Sequence, residues 1–189
     1  MHILEEISQR YSPPIIDSRE VEKEKVEAIF EAARRAPSCY NKQPWRFVVV
    51  KKEDETRKAL EDALSLGNGW AKRAAILVAA TAKPSSDCDT NGIPYYAYDV
   101  GMSVMSMTIE AEHQGLKCHQ MAGYREKRVK DALALPQSSR VLALIAVGYE
   151  GEVESLSDKI LARGKEAVTK SKERLPIDDI VFWGRYVDE

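Results

Sequence analysis

The sequence predicts a single domain of the α+β or α/β class, in which helices pack against a layered sheet. Short apolar runs typical of strands alternate along the chain with longer segments whose apolar residues recur every three or four positions. The chain has 189 residues, of which 44% are hydrophobic and 31% charged, a balance typical of a protein with a buried core. Because no repeat or linker is visible, residues 1–189 are interpreted as one domain.

The first half of the chain predicts two helices and two strands. Segment 20–35 predicts a helix, because its apolar residues recur on one helical face. The apolar run 47–50 is typical of a strand, and leucines spaced by four within 53–66 indicate a second helix. The unbroken apolar run that follows predicts a buried strand over 74–81.

The second half predicts one long apolar helix, 95–114, followed by shorter elements. Tyr98, Met102 and Met105 follow each other by four and three positions, and polar residues are sparse, so we expect a second subunit to cover part of this helix. Gly115 is a plausible end for it. The remaining predicted elements are strand 116–121, helix 125–133, strand 140–148, a polar helix 155–171 and an extended tail 174–189 with a short helix near Asp178.

Charge and hydropathy exclude several classes of function. The formal net charge is −2, so the chain lacks the strongly basic character expected of a nucleic-acid-binding protein. The longest unbroken apolar run, 74–80, is far shorter than the ~20 residues of a membrane helix. The first residues carry two carboxylates where a secretory signal would be basic and then apolar. We therefore expect a cytoplasmic protein without a membrane or nucleic-acid partner.

The cysteines and histidines favour neither a disulfide framework nor a metal site. Cys39, Cys88 and Cys118 form no CxxC pair, and an odd number at wide spacing is a poor basis for disulfides. The three histidines form no helical His-x-x-x-His pair and no cluster with cysteine. Cys39 could be a nucleophile, but no histidine partner is evident in the sequence.

The densest polar chemistry lies in the connection 36–46, between the first helix and the first strand. Pro37 and Pro44 stiffen it, and Ser38 and Asn41 supply hydrogen-bonding groups. The connection is either an ordinary turn after a helix end or one wall of a functional site. Glycine-rich nucleotide cradles and a Gly-x-Ser-x-Gly elbow are absent from the sequence, which leaves this turn as the leading candidate.

Cations near the two ends of the chain form a second polar group. Arg10, Lys172 and Arg174 could converge on one anion, to which Ser12 would add a hydroxyl. A phosphate dianion suits guanidinium and ammonium donors that come from separate segments. The alternative is that these are solvated charges with no common ligand.

The turn 36–46 resembles the most recognisable motif of the nitroreductase family of FMN-dependent oxidoreductases. The matching residues are Ala36-Pro37-Ser38-x-x-Asn41-x-Gln43-Pro44-Trp45. Arg10-x-Ser12 is similar to that family's N-terminal phosphate and ribityl element. Further segments resemble the family in the same order, over roughly residues 3–186: Tyr98-Asp99-Val100-Gly101, Gly115-Leu116, Met121-Ala122-Gly123-Tyr124, Leu135-Pro136, Val147-Gly148-Tyr149 and Lys172-x-Arg174 with Pro176.

The resemblance implies a nitroreductase-like α+β sandwich with a mixed sheet, in an intertwined homodimer that holds FMN at the subunit interface. NADH or NADPH would reduce the flavin, which would then reduce a small acceptor, so no side chain is assigned as catalytic and no metal is expected. The residues that the resemblance assigns to the cofactor are Arg10, Tyr11, Ser12, Pro37, Ser38, Cys39, Asn41, Met121, Ala122, Gly123, Lys172 and Arg174. Trp45 is interpreted as a core residue that fixes the turn.

One position departs from the family pattern. Many members carry a cation two residues after the serine of the first element, near the flavin N1–O2 edge, where this chain has Pro14. Either another cation takes its place, with Lys42, Lys72 and Arg73 as candidates, or the reduced flavin is less stabilised.

The reaction type stays open at this stage. Nitro compounds and quinones are the leading acceptors; the alternatives are a different flavin reaction, such as ene reduction, dehalogenation or flavin breakdown, and a flavin-binding redox sensor that is not a catalyst. Relatives with those other reactions usually carry a lid insertion between the second strand and the long helix. Segment 82–94 is only a short loop here, which favours an open and unselective site.

Overall fold

Helices on both faces of a sheet make up the protein, and the computed structural model describes residues 2–152 and 172–186. The helices are α1 (Glu5–Gln9), α2 (Lys23–Arg34), α3 (Arg57–Ala63), α4 (Tyr96–His113) and α5 (Glu126–Ala132). The strands are β1 (Trp45–Lys51), β2 (Ile76–Ala82), β3 (Asp89–Thr90), β4 (Ile93–Pro94), β5 (Lys117–Met121) and β6 (Arg140–Gly148). Short 3-10 turns lie at Cys39–Asn41, Leu66–Arg73, Pro84–Ser86 and Ile177–Asp179.

Within the described residues the main sheet has four strands in the order β1-β2-β6-β5, and β3 and β4 form a separate small hairpin. The fold class is confirmed. Every pairing of the main sheet within the described residues is antiparallel, however, and this corrects the expectation of a mixed sheet. The reason is topological. Helix α4 connects β2 to β5, which run in the same direction, but β6 lies between them and they do not pair.

Strand β2 is buried on both faces, as its unbroken apolar run predicts. Ile76, Val78 and Ala80 face a core that includes residues of α2 and α4. Leu77 and Ala79 face the opposite core, which includes residues of α3 and α5. A strand covered by helices on both sides has no polar face, and this explains why its sequence does not alternate.

Helix α4 buries one stripe and exposes another. Val100, Val104 and Met107 lie in the core, whereas Tyr98 and Met105 are 64% and 41% exposed. The burial expected for Tyr98 and Met105 on the basis of their spacing therefore does not occur within this chain. An exposed apolar stripe beside a buried one agrees with the expectation that a second subunit covers the helix.

The predicted and observed elements differ mainly in short segments. Helix α1 and the β3–β4 hairpin have no counterpart in the prediction, because each is too short to show a periodic pattern. The helix expected over 53–66 is shorter, and a 3-10 turn, Leu66–Arg73, follows it. The helix predicted at 155–171 lies outside the described residues.

Candidate functional site

The turn before β1 is held by its own polar residues. Tyr40, Asn41 and Gln43 all have positive φ angles, of 48°, 55° and 49°, which non-glycine residues rarely adopt. The Gln43 amide donates to Ser38 Oγ at 2.9 Å, and the Asn41 amide donates to the Ser38 carbonyl at 3.0 Å. Trp45 is only 6% exposed, so it anchors the turn in the core as expected.

A disulfide bond ties this turn to the loop after β2, which corrects the expectation that the cysteines form none. The bond joins Cys39 and Cys88, while Cys118 is a buried free thiol. The register of the sheet explains the pairing, because Trp45 lies opposite Ala82 in the antiparallel pair of β1 and β2. Cys39 lies six residues before Trp45 and Cys88 six residues after Ala82, so both reach the same end of the sheet.

A cavity of about 430 Å³ opens between this turn, the hairpin and α4. Three tyrosines and a methionine are among its lining residues, and so is Asp99. The Asp99 carboxylate is buried and accepts a hydrogen bond from the Cys39 amide at 2.7 Å. The lining residues are Pro37, Ser38, Cys39, Tyr40, Thr90, Tyr95, Tyr98, Asp99 and Met102.

The N-terminal and C-terminal polar elements meet at Tyr11. The Tyr11 ring is buried, with Lys172 Nζ 4.3 Å from its centroid and Lys117 Nζ 4.9 Å from it. The Tyr11 hydroxyl donates to a carboxylate oxygen of Glu150. The structure thus brings together two segments that are about 160 residues apart in the chain, as the hypothesis of a shared anion site requires.

Arg10 and Ser12 flank Tyr11 and are both partly buried. Within residues 2–152 and 172–186, neither the Arg10 guanidinium nor the Ser12 hydroxyl has a hydrogen-bonding or ion-pair partner. A partly buried cation without a carboxylate beside it fits an anion site. Arg174 lies exposed two residues beyond Lys172.

His119 was not predicted as part of the site, yet it fixes the backbone that follows Ser12. Its Nδ1–H donates to the Pro13 carbonyl at 2.7 Å, and its ring lies 4.4 Å from the Trp70 ring, centroid to centroid. Burial lowers the pKa of His119 below its usual value, which favours the neutral imidazole. No local pattern could have revealed a contact between residues so far apart in the chain.

Acidification is expected to lower the stability of the fold at His119, because a buried imidazole resists protonation. Because the pKa of His119 is lower in the folded state, the unfolded chain takes up a proton at a higher pH than the folded chain does. The stability that neutral His119 contributes is therefore lost as pH falls below about 6.5. We expect wild type to lose free energy of unfolding relative to His119→Gln between about pH 8 and about pH 5. Glu6 raises the pKa of His113, so the protonation of His113 adds stability as pH falls. Because both proteins contain His113, this contribution cancels when they are compared. A constant difference in denaturant titrations would contradict this account.

The loop after β5 packs tightly against the segment after α3. The Gly123 carbonyl accepts hydrogen bonds from the Ser65 amide at 3.0 Å and from Asn68 Nδ2 at 2.9 Å. Met121 is buried and Ala122 exposed. Within the part of the chain that the structure describes, the amides of Ala122 and Gly123 have no acceptor, so they can donate to a ligand.

Gly123 tolerates no side chain without a displacement. A Cβ atom there would lie 2.5 Å from Ser65 Oγ and 2.7 Å from Asn68 Nδ2. Gly123→Ala is expected to cost about 1–3 kcal/mol of unfolding free energy, because Asn68 must turn away from the loop. Gly67→Ala is the matched control, since a Cβ atom at Gly67 meets nothing within 4 Å among the residues that the structure describes. Equal stability of the two variants in thermal or denaturant unfolding would show that the loop is not packed in this way.

The two groups of candidate residues lie at opposite edges of the sheet. The turn with Ser38 and Asn41 precedes β1, and the loop with Ala122 and Gly123 follows β5. Two strands separate these edges, which at the usual strand spacing places them about 14 Å apart.

The candidates to replace the cation missing at Pro14 are not equivalent. Lys42 is exposed on the turn. Lys72 lies 3.8 Å from a carboxylate oxygen of Asp62. Arg73 lines a different cavity, of about 310 Å³. Replacement of the missing cation by one of these three, and a reduced flavin that is less stabilised, therefore stay alternative predictions.

One known protein family matches the regions of the chain that hold both groups of candidate residues. A sequence model of the nitroreductase family matches residues 7–75 and 63–149, which together cover the turn, the loop after β5 and the whole sheet. The chain belongs to the nitroreductase family. This family member is 30% identical over 153 residues to an Archaeoglobus fulgidus protein named for NADH dehydrogenase and NAD(P)H nitroreductase activity. The matched residues cover 77% of this chain and 84% of the Archaeoglobus protein.

Further relatives support the same assignment. A Thermus thermophilus protein named NADH dehydrogenase is 26% identical over 186 residues, covering 82% of each chain. A crystal structure described as an oxidoreductase containing FMN matches with a TM-score of 0.87 and 28% identity, over 100% of this nitroreductase-family chain and 95% of the other. A Clostridium novyi nitroreductase-family structure gives a TM-score of 0.73 at 27% identity, over 79% and 87% of the two chains.

Two further properties of this nitroreductase-family protein bear on the expectations above. Among the residues described, no helix has both the length and the apolar character needed to cross a membrane. In the same part of the chain, Cys39, Asp87 and Cys88 form a group with the spacing of a metal site. Its two cysteines are joined as a disulfide, so their thiolates are not free to bind a metal.

Proposed function

We propose that this protein is an FMN-dependent oxidoreductase that passes electrons from NADH or NADPH to nitroaromatic compounds, quinones or similar acceptors. The observation that carries the proposal is the meeting of the N-terminal and C-terminal elements at Tyr11. Lys172 contacts the Tyr11 ring, and Arg10 and Ser12 lie on either side of that residue. These are the elements that the family resemblance assigns to the FMN phosphate.

The donors present fit a phosphate. Arg10, Lys172 and Arg174 offer guanidinium and ammonium groups from two segments, and Ser12 adds a hydroxyl. Such donors make charge-assisted hydrogen bonds with a phosphate dianion, each worth about 1.5–3 kcal/mol. Tyr11 fixes the geometry between the two segments, because its ring is buried and its hydroxyl is bonded to Glu150.

The residues at the ring edge fit the isoalloxazine polar atoms. Ala122 and Gly123 supply amides that can donate to N5, and Asn41 and Ser38 supply side-chain groups for the ring edge. When bound, FMN supplies the hydride chemistry. The protein orients the ring and leaves one face open to the nicotinamide and then to the acceptor. No side chain has to exchange a proton at the hydride step.

We propose a homodimer in which each cofactor contacts both chains. The turn before β1 and the loop after β5 belong to opposite edge strands, which are about 14 Å apart across the sheet, and this favours contributions from different subunits to one flavin. The exposed apolar stripe of α4 offers a surface for the partner. The described tail offers another, because Leu175, Phe182 and Trp183 are 69%, 40% and 89% exposed.

Steady-state kinetics test the proposal. Purified protein is assayed for NADH and for NADPH oxidation, with a quinone or a nitroaromatic compound as acceptor. Turnover with parallel lines in double-reciprocal plots is expected, because donor and acceptor occupy the same place in turn. A yellow protein that oxidises neither nicotinamide would instead be a flavin store or sensor.

A further inference from the structure

The Cys39–Cys88 disulfide lies beside two buried carboxyl groups. A carboxylate oxygen of Asp87 and the two sulfur atoms lie within 4.8 Å of one another. The Cys88 amide donates to Asp87 Oδ1 at 2.8 Å, and the Cys39 amide donates to Asp99 Oδ2 at 2.7 Å. The backbone amide of each bonded cysteine therefore donates to a different carboxyl group.

The other oxygen of each carboxyl group has no partner. Asp87 Oδ2 and Asp99 Oδ1 are the buried side-chain atoms without a hydrogen bond in residues 2–152 and 172–186. Burial, and then the neighbouring Asp87 carboxylate, raise the pKa of Asp99. One proton shared by the two carboxyl groups would give both oxygens a hydrogen bond. Two buried negative charges without that proton would cost free energy.

Neither segment depends on the disulfide for its shape. The turn is closed by the bond from the Gln43 amide to Ser38 Oγ. The loop is closed by the bond from the Tyr95 amide to the Cys88 carbonyl at 2.9 Å and by the pairing of β3 with β4. The bond can therefore open while the fold stays intact. The sequence predicts a cytoplasmic protein, and in that compartment disulfides are usually transient, catalytic or redox-sensing.

We propose that Cys39–Cys88 is a thiol–disulfide exchange site for an external dithiol, with Asp87 and Asp99 as its proton donor. A thiolate of the dithiol attacks one sulfur, which breaks the Cys39–Cys88 bond and forms a mixed disulfide. The other cysteine leaves with the electron pair and takes the proton of the carboxyl pair. The second thiol of the reductant then gives its proton back to the carboxyl pair, and its thiolate attacks the mixed disulfide. The cysteine held in the mixed disulfide then leaves as a thiolate. It takes up from solvent the proton that the first thiol of the reductant had released, and the reductant leaves as a disulfide.

Reduction would act on the cavity beside the bond. Tyr40 on the turn and Thr90 on the hairpin both line it, and the disulfide links the segments that carry them. Breaking the link frees the hairpin to move away from the turn. This exchange needs no flavin, so it stands or fails independently of the proposed oxidoreductase activity.

Thiol counting on the folded protein tests the proposal. The oxidised protein is treated with dithiothreitol under native conditions and alkylated, and its mass is measured by mass spectrometry. Two alkylated cysteines are expected with an unchanged circular dichroism spectrum. Cys118 should remain unmodified, since burial raises its pKa to about 12 and keeps its thiol protonated. Resistance of the bond until the protein unfolds would overturn the proposal.

The carboxyl pair has its own test. Asp99→Asn keeps an acceptor for the Cys39 amide but carries no transferable proton, and is expected to slow reduction at least about tenfold. Asp87→Asn, on the other side of the bond, should slow it similarly. Asp89→Asn is the matched control, because that side chain is exposed on the hairpin. If both variants are reduced as fast as the control, the carboxyl groups take no part and the proposal fails.

Discussion

Replacing Lys172 by Met and Arg174 by Gln together is expected to weaken FMN binding by about 100-fold or more. Each lost charge-assisted hydrogen bond to phosphate is worth at least about 1.5 kcal/mol, and two of them correspond to about two powers of ten in Kd. Lys172 contacts the ring of Tyr11, whose neighbours in the chain are Arg10 and Ser12. The measurement is a fluorescence titration of apoprotein with FMN.

The control must remove the same charge elsewhere. Lys23→Met with Arg34→Gln takes two cations from the exposed side of α2 and should leave FMN affinity unchanged. Riboflavin, which lacks the phosphate, should bind wild type and the Lys172/Arg174 variant equally. An FMN affinity that stayed the same in that variant would show that the phosphate lies elsewhere.

Arg57→Met is expected to lower the free energy of unfolding by about 3–5 kcal/mol. The Arg57 guanidinium is buried and donates to the carbonyls of Val50, Lys72 and Ala74, at 3.3, 3.2 and 2.7 Å. It also pairs with Glu61 at 2.8 Å. Removing it leaves the buried carbonyls of Val50 and Ala74 short of a donor, which costs more than the lost attraction alone. The Lys72 carbonyl and the Glu61 carboxylate also accept from Lys52 Nζ and keep that donor.

This arginine also matters for the site. Its acceptor at Lys72 belongs to the 3-10 turn that carries Asn68 and Trp70, the residues against which Gly123 and His119 pack. Lys58→Met changes a neighbouring, exposed cation of α3 and should stay within about 0.5 kcal/mol of wild type. Urea unfolding of the two variants makes the comparison. A loss below about 1 kcal/mol for Arg57→Met would contradict its role as an anchor.

Local patterns were enough to predict most of the elements. Strand β6 has the bounds that its apolar run predicts, 140–148, and α4 differs from its prediction by one residue at each end. The core position of Trp45 followed in the same way, from a large apolar residue that closes a rigid polar turn. In each of these cases the residues that decide the structure are neighbours in sequence.

What the sequence did not reveal depends on contacts between distant residues. The Cys39–Cys88 bond requires the register of β1 against β2, and the antiparallel sheet requires β6 to lie between β2 and β5. The bond from His119 to the Pro13 carbonyl joins a strand to the N-terminal segment. No period in the chain encodes such contacts, which the packing of whole elements determines.

Anaerobic titration of the purified protein with NADH and NADPH tests the central claim most directly. The account predicts a yellow protein whose flavin absorption bleaches with a stoichiometric amount of at least one nicotinamide and returns when a quinone or nitroaromatic acceptor is added. A protein that purifies colourless and does not take up FMN would contradict the account.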